Sequence, residues 1–257
     1  MASLVTDDND TTTRRRTTTE ASELPHFEDL PGILQICSGI DTKPGIISYF
    51  DDDIYAVINM FAKTSTKFLE YEPLRQKYFK VVLAKKYGFD FEKETIYLFG
   101  KNITNEDLRY ICELLKANNK VETLDLDNNN ITDIQNIGEL LKANNTLTRL
   151  HLQHNNITDV QSIGEALKTN NTLTRLYLSN NNITDVQSIG EGLETNNTLS
   201  YLYLYNNNNI TDVQSIGDAL KTNNILKLLY LDNNNITNVQ SIGEGLKTNN
   251  TLTELYL

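Results

Sequence analysis

Beyond residue 93 the chain alternates between two hydrophobic periods. Val121, Leu124, Leu126, Asn129 and Ile131 set out a unit of the form L-x-x-L-x-L-x-x-N-x-I. It returns at Leu147, Leu150, Leu152, Asn155 and Ile157, then at Leu173, Leu176, Leu178, Asn181 and Ile183. Leu199, Leu202, Leu204 and Asn207 follow, and one additional asparagine delays the next apolar residue to Ile210. Leu226, Leu229, Leu231, Asn234 and Ile236 form the next copy, and Leu252, Leu255 and Leu257 begin another. A degenerate first copy has Ile96, Leu98 and Ile103 in register but Lys101 at the asparagine position. From Ile96 the spacings are 28, 26, 26, 26, 27 and 26 residues, so seven copies, the last incomplete, share one geometry.

Each copy predicts two local structures. The x-L-x-L stretch alternates apolar and exposed positions, the period of a short strand with one face buried. The second half spaces its apolar residues as a helix does, at Val160, Ile163 and Leu167. Thr158 with Gln161 matches a capping box, and Asp159 falls in the expected first turn. The terminal pair Asn170 and Asn171 suits the left-handed conformation that closes a helix. A strand and a helix every 26 to 28 residues predict an α/β solenoid with an inner parallel sheet and outer helices. Because helices are wider than strands, such a stack curves with the sheet on the inside.

The run from Ala166 and Leu167 through Asn170, Leu173, Leu176, Leu178 and Asn181 to Ile183 resembles the leucine-rich repeat of the ribonuclease-inhibitor type. The resemblance spans about residues 93–257 and departs from that family in its shorter 26-residue unit. It implies a horseshoe that binds other proteins without catalysis, and it leaves the partner unnamed. It also implies that Asn129, Asn155, Asn181, Asn207 and Asn234 bond the backbone of adjacent turns, since a buried amide needs its donors and acceptor satisfied. The asparagines beside them suit loops with left-handed dihedrals.

The region before the repeats reads differently. Residues 1–23 hold a threonine-rich run interrupted by Arg14, Arg15 and Arg16, with little to bury, and read as a disordered tail. Residues 24–92 read as a helical cap. Ile54, Val57, Ile58 and Phe61 form one stripe behind Asp51, Asp52 and Asp53. Leu74, Tyr78, Val82 and Leu83 predict a second helix beginning just after Pro73. A unit of this kind covers the otherwise exposed first repeat. Ile46, Tyr49, Phe50, Ile54, Val57, Phe68, Pro73 and Leu74 also resemble a degenerate F-box within residues 46–80. That resemblance implies docking on a ubiquitin-ligase adaptor, which would make the chain a substrate receptor of a cullin–RING ligase. The chain departs from that family in having no tryptophan, and its Leu30 and Pro31 stand far upstream of the rest.

Composition narrows the chemistry. All but two of the 33 asparagines lie beyond residue 100, so they belong to the repeat turns and not to a low-complexity tract. The net charge of −11 argues against a nucleic-acid face, and the repeats alone hold 12 Lys/Arg against 19 Asp/Glu. No apolar run approaches the roughly 20 residues of a membrane span, and the first 19 residues lack the apolar core of a secretory signal. Two cysteines, Cys37 and Cys112, give no disulfide framework, so a reduced, cytoplasmic setting is expected. Triplets such as Asn156 to Thr158 match the glycosylation acceptor, but the repeat itself generates them. No cofactor or metal is expected, because His26, His151 and His154 are scattered and the last two point to different faces of a strand end. No nucleophile and base recur together, so the chain does not read as an enzyme.

The outward strand positions are the ones packing does not dictate. Their central column reads Tyr97, Asp125, His151, Tyr177, Tyr203, Tyr230 and Tyr256. Two residues earlier stand Thr95, Thr123, Arg149, Arg175, Tyr201, Leu228 and Glu254, and two residues later Phe99, Asp127, Gln153, Ser179, Tyr205 and Asp232. Tyrosine and arginine dominate interface energetics. A protein partner is therefore expected on the concave face at Arg149, His151, Arg175, Tyr177, Tyr201, Tyr203, Tyr205 and Tyr230, with these side chains facing solvent. At the last strand Leu255 and Leu257 are expected to face the core, and its open edge allows weak self-association.

Overall fold

The computed structural model of the chain describes residues 72–257. The threonine- and arginine-rich stretch, the Ile54–Phe61 stripe and the F-box-like segment up to residue 71 lie outside the described residues. Helix α1 (Glu72–Tyr87) leads into seven strands that alternate with six further helices. The strands are β1 (Thr95–Tyr97), β2 (Thr123–Asp125), β3 (Arg149–His151), β4 (Arg175–Tyr177), β5 (Tyr201–Tyr203), β6 (Leu228–Tyr230) and β7 (Glu254–Tyr256). The helices between them are α2 (Asn105–Lys116), α3 (Gln135–Ala143), α4 (Gln161–Leu167), α5 (Gln187–Thr195), α6 (Gln214–Leu220) and α7 (Gln240–Leu246).

All seven strands pair in parallel and in chain order. Their register advances by one repeat per strand, so Ile96, Leu124, Leu150, Leu176, Leu202, Leu229 and Leu255 form a single row. These residues point into a core shared with the helices, and Leu124, Leu150, Leu176, Leu202 and Leu229 are fully buried. Each such leucine removes enough apolar surface from water to contribute about 1.5–3 kcal/mol. The buried cluster is continuous from Leu83 to Ile242, so every repeat stabilises its neighbours.

Two asparagine ladders hold the turns. In the first, Asn155 donates Nδ2 to the carbonyls of Leu126, Leu152 and Gln153, and its Oδ1 accepts from the amides of Asn129 and Ile131. Asn129, Asn181, Asn207 and Asn234 repeat this pattern, and Lys101 stands exposed at the equivalent place in the first copy. The extra asparagine of the fifth copy is absorbed locally: the amide of Ile210 turns back to the Asn207 carbonyl, and Ile210 stays buried. The left-handed asparagines stand in the turns of the first ladder, at Asn102, Asn128, Asn130, Asn180, Asn206 and Asn233, with His154 filling one slot at φ 52°.

The second ladder corrects an expectation. The asparagines that follow the helices are not left-handed closers: Asn144 and Asn196 are extended, at φ −83° and −71°, and buried. Asn196 donates to the carbonyls of Leu167 and Asn170 of the preceding repeat and accepts from the amides of Thr198 and Leu199. Asn118, Asn144, Asn170, Asn223 and Asn249 are held in the same way.

The capping box also fails in the regular repeats. Helix α4 starts at Gln161, its cap residue Val160 has no side-chain acceptor, and Asp159 instead accepts from the Gln161 amide at 2.7 Å. Asp133, Asp185, Asp212 and Asn238 do the same for their helices. Only α2 begins further upstream, and there Thr104 caps the Asp107 amide as the box predicts. Successive helices touch through glycine. A Cβ on Gly190 would stand 2.5 Å from the backbone carbon of Ser215, so only glycine admits this approach.

Helix α1 starts at Glu72, with Pro73 in its first turn, and ends at Gly88, whose φ of 72° closes it as its amide donates a hydrogen bond to the Ala84 carbonyl. Its Leu83 and Tyr87 join the core beside the first repeat. Burial alone would raise the carboxyl of Asp107, but hydrogen bonds from Lys86, Tyr87 and Thr104 hold it below its ordinary range and tie α1 to α2.

Candidate functional site

The register places each outward column on one line across the inner sheet. His151, Tyr177, Tyr203, Tyr230 and Tyr256 occupy equivalent sites on β3 to β7. Their rings form an unbroken stack, with centroids 4.2, 4.5, 5.1 and 4.2 Å apart and planes inclined by 12–18°. Neighbouring strands lie about 4.8 Å apart, so a ring on every strand meets the next at stacking distance. Ring faces are spent on one another, and ring edges are left for solvent. His151, Tyr177, Tyr203 and Tyr230 are therefore half-buried, a correction to the expectation that they simply face solvent, while Tyr256 at the end of the row is exposed.

Burial raises the Tyr203 phenol above its usual range, and the hydrogen bond to Tyr256 pushes that of Tyr230 up to about 12. Both phenols thus stay uncharged through neutral pH.

Beside this row stand Arg149, Arg175 and Tyr201, successive in register on β3, β4 and β5. Arg149 is exposed, and the Arg175 guanidinium lies 4.8 Å from the centre of the Tyr201 ring. Leu228, next in the column, is buried. On the other side Tyr205 reaches across two repeats to donate to Gln153 Oε1 at 3.2 Å, and Gln153 donates Nε2 to Asp127. Asp127 is nearly buried, which pushes its carboxyl up, while the Gln153 amide at 2.6 Å opposes that shift. Tyr205 also meets Tyr230 edge-on.

The eight residues singled out from the sequence therefore share one face, and all but Arg149 touch another of the set in sequence-distant pairs. Two large side chains of the same columns deserve a place with them: Tyr97 is 68% exposed and Phe99 58%. The register pairs Tyr97 with Asp125, so no ring from β2 covers it. His154 sits apart, in the exposed turn after β3. Among the described residues no group of three or more His, Cys, Asp or Glu is placed to hold a metal ion. Cys112 is buried in the core, and burial pushes its thiol up, away from the reactive thiolate.

Models of the leucine-rich repeat match residues 145–186 and 171–221 as two-copy units, and residues 117–134 as a single repeat. With the parallel sheet and its outer helices, these matches define the class of fold, a leucine-rich repeat solenoid. Among solved structures it is similar to an internalin of Listeria monocytogenes, with 21% identity over 63% of this chain and a TM-score of 0.42. The match spans 40% of that internalin's length. It is also similar to the actin-binding site 2 of leiomodin-1, with 24% identity over 65% of this chain and 86% of that one, at a TM-score of 0.40. A search of curated proteins finds no match. Among the described residues no helix is long and apolar enough to cross a membrane.

Proposed function

We propose that the protein is a non-catalytic interaction scaffold that holds a protein partner on its inner sheet face. The observation that carries this reading is the continuous row of stacked rings from His151 to Tyr256, flanked by Arg149, Arg175 and Tyr201. Rings locked against each other lose little side-chain freedom on binding, which lowers the cost of forming an interface. Tyrosine and arginine are also the residues most often found to dominate binding energy.

The test compares inner-face with outer-face variants of the full chain. Tyr177→Leu, Tyr203→Leu and Arg175→Gln together keep apolar bulk and remove ring edges, hydroxyls and charge. Partner capture should weaken by about 1–3 kcal/mol or more, while circular dichroism remains that of the folded protein. Glu165→Lys, on the outer helix α4, should leave capture unchanged. Retained capture in the triple variant with loss in Glu165→Lys would move the interface to the helices.

A cytoplasmic setting goes with this reading, on the ground of the two-cysteine composition. The alternative of a ubiquitin-ligase substrate receptor rests on residues 46–80 alone. It requires the full chain to co-purify with the ligase adaptor, and absence of that complex removes it.

A further inference from the structure

We infer that Arg149 and Arg175 form a subsite for a phosphorylated side chain of the protein partner. The inference rests on the interaction reading above and supplies the chemistry of one of its contacts. The two arginines occupy register-paired positions on adjacent strands, about 4.8 Å apart at the backbone, where like charges repel. Among the described residues neither guanidinium has a carboxylate within ion-pair distance. Elsewhere the chain pairs its cations readily: Lys116 with Glu113 and Glu139, and Lys168 with Glu165 and Glu191. In a protein of net charge −11, an adjacent arginine pair left without internal counter-charge calls for an external anion.

The surroundings favour a dianion. On β2, Asp125 accepts from the Asp127 amide, and the Asp127 carboxylate takes both the amide and the side chain of Gln153. Neither compensates the arginines. Arg175 lies over the Tyr201 ring, which fixes its plane and leaves the edge of the fork for a ligand. A phosphomonoester carries about −1.5 to −2 charges at pH 7 and three acceptor oxygens, which matches two guanidinium forks. A single carboxylate would leave one arginine uncompensated.

The test titrates the full chain with a short blocked alanine peptide carrying one phosphoserine, followed through the arginine Nε–H resonances. Saturable shifts at Arg149 and Arg175 are expected, weakening as salt is added. Affinity should fall about tenfold or more in Arg149→Gln and in Arg175→Gln, and stay unchanged in Lys142→Gln, which alters an exposed lysine of α3. Arg149→Gln should keep the wild-type unfolding midpoint or raise it, since it relieves a like-charge pair. Equal affinity for the same peptide with glutamate in place of phosphoserine would overturn the inference, as would shifts spread over the other basic residues or no saturation. The two readings fail separately. Capture lost in the tyrosine variants without any phosphopeptide response removes the phosphate subsite alone, and capture unaffected by those variants removes the interaction face.

Discussion

Replacing Asn196 with alanine should cost the protein about 3–5 kcal/mol, and replacing Asn197, its neighbour in sequence, less than about 0.5 kcal/mol. The Asn196 amide donates to Leu167 O at 2.8 Å and Asn170 O at 3.0 Å, and accepts from Thr198 N at 3.0 Å and Leu199 N at 2.7 Å. Four hydrogen bonds at a net value of about 1 kcal/mol each set the centre of the range. The site is 5% exposed, so water replaces the lost partners poorly, and each orphaned group adds up to about 1–3 kcal/mol where the turn fails to relax. Asn197 is exposed and its side chain makes no hydrogen bond. Urea unfolding followed by far-ultraviolet circular dichroism measures the two costs. Hydrogen exchange locates them, because the stability of a repeat array is close to a sum of neighbour terms. The Leu199 amide should exchange faster in Asn196→Ala, while amides of β2 keep their protection. Equal midpoints for the two variants, or unchanged exchange at Leu199, would refute the view that this ladder holds the turn.

Gly192→Ala should destabilise by about 1–3 kcal/mol, although the aligned positions of α4 and α6 are Ala166 and Ala219 and alanine is the better helix former; the added Cβ would stand 2.6 Å from the Gly164 carbonyl oxygen and 2.9 Å from Leu167 Cβ. Thermal unfolding checks this, and a stabilised variant would show that the helices can move apart. Hydrogen bonds from Lys120 and Lys80 hold the Glu92 carboxyl down to about 2. Its folded value lies below the unfolded one, so this contribution is complete above about pH 4.5 and is lost as pH falls through about 2. Glu92→Gln should therefore flatten the acid limb of the stability profile by a small, salt-sensitive amount, since the carboxylate is exposed. Tyr203→Ala should lower stability by about 1–3 kcal/mol through loss of two stacking contacts, with a reduced near-ultraviolet tyrosine signal; an unchanged midpoint would mean the stack contributes nothing to the fold.

Much of this architecture is written in the period of the chain. The 26-residue spacing of Leu150, Leu176 and Leu202, combined with strand alternation, assigns each residue to the core or the inner face. It also sets the register that lines up Tyr177, Tyr203 and Tyr230. The first asparagine ladder follows for the same reason: a polar residue recurring among buried leucines must find backbone partners. What the period leaves open is how closely one repeat approaches the next. That distance comes from the helices, where Gly164 and Gly190 let neighbours touch, and from the common strand spacing. Only at that distance do the rings cover one another and become half-buried, while Tyr97, opposite Asp125, stays exposed. The end of each helix was decided in the same way. Thr158 and Gln161 satisfy the local rule for a capping box, and Asn196 suits a left-handed turn. The carbonyls of Leu167 and Asn170, presented by the preceding repeat, draw Asn196 into an extended, buried position instead. Local sequence lists the conformations a residue tolerates, and partners some 26 residues away in the stack choose among them.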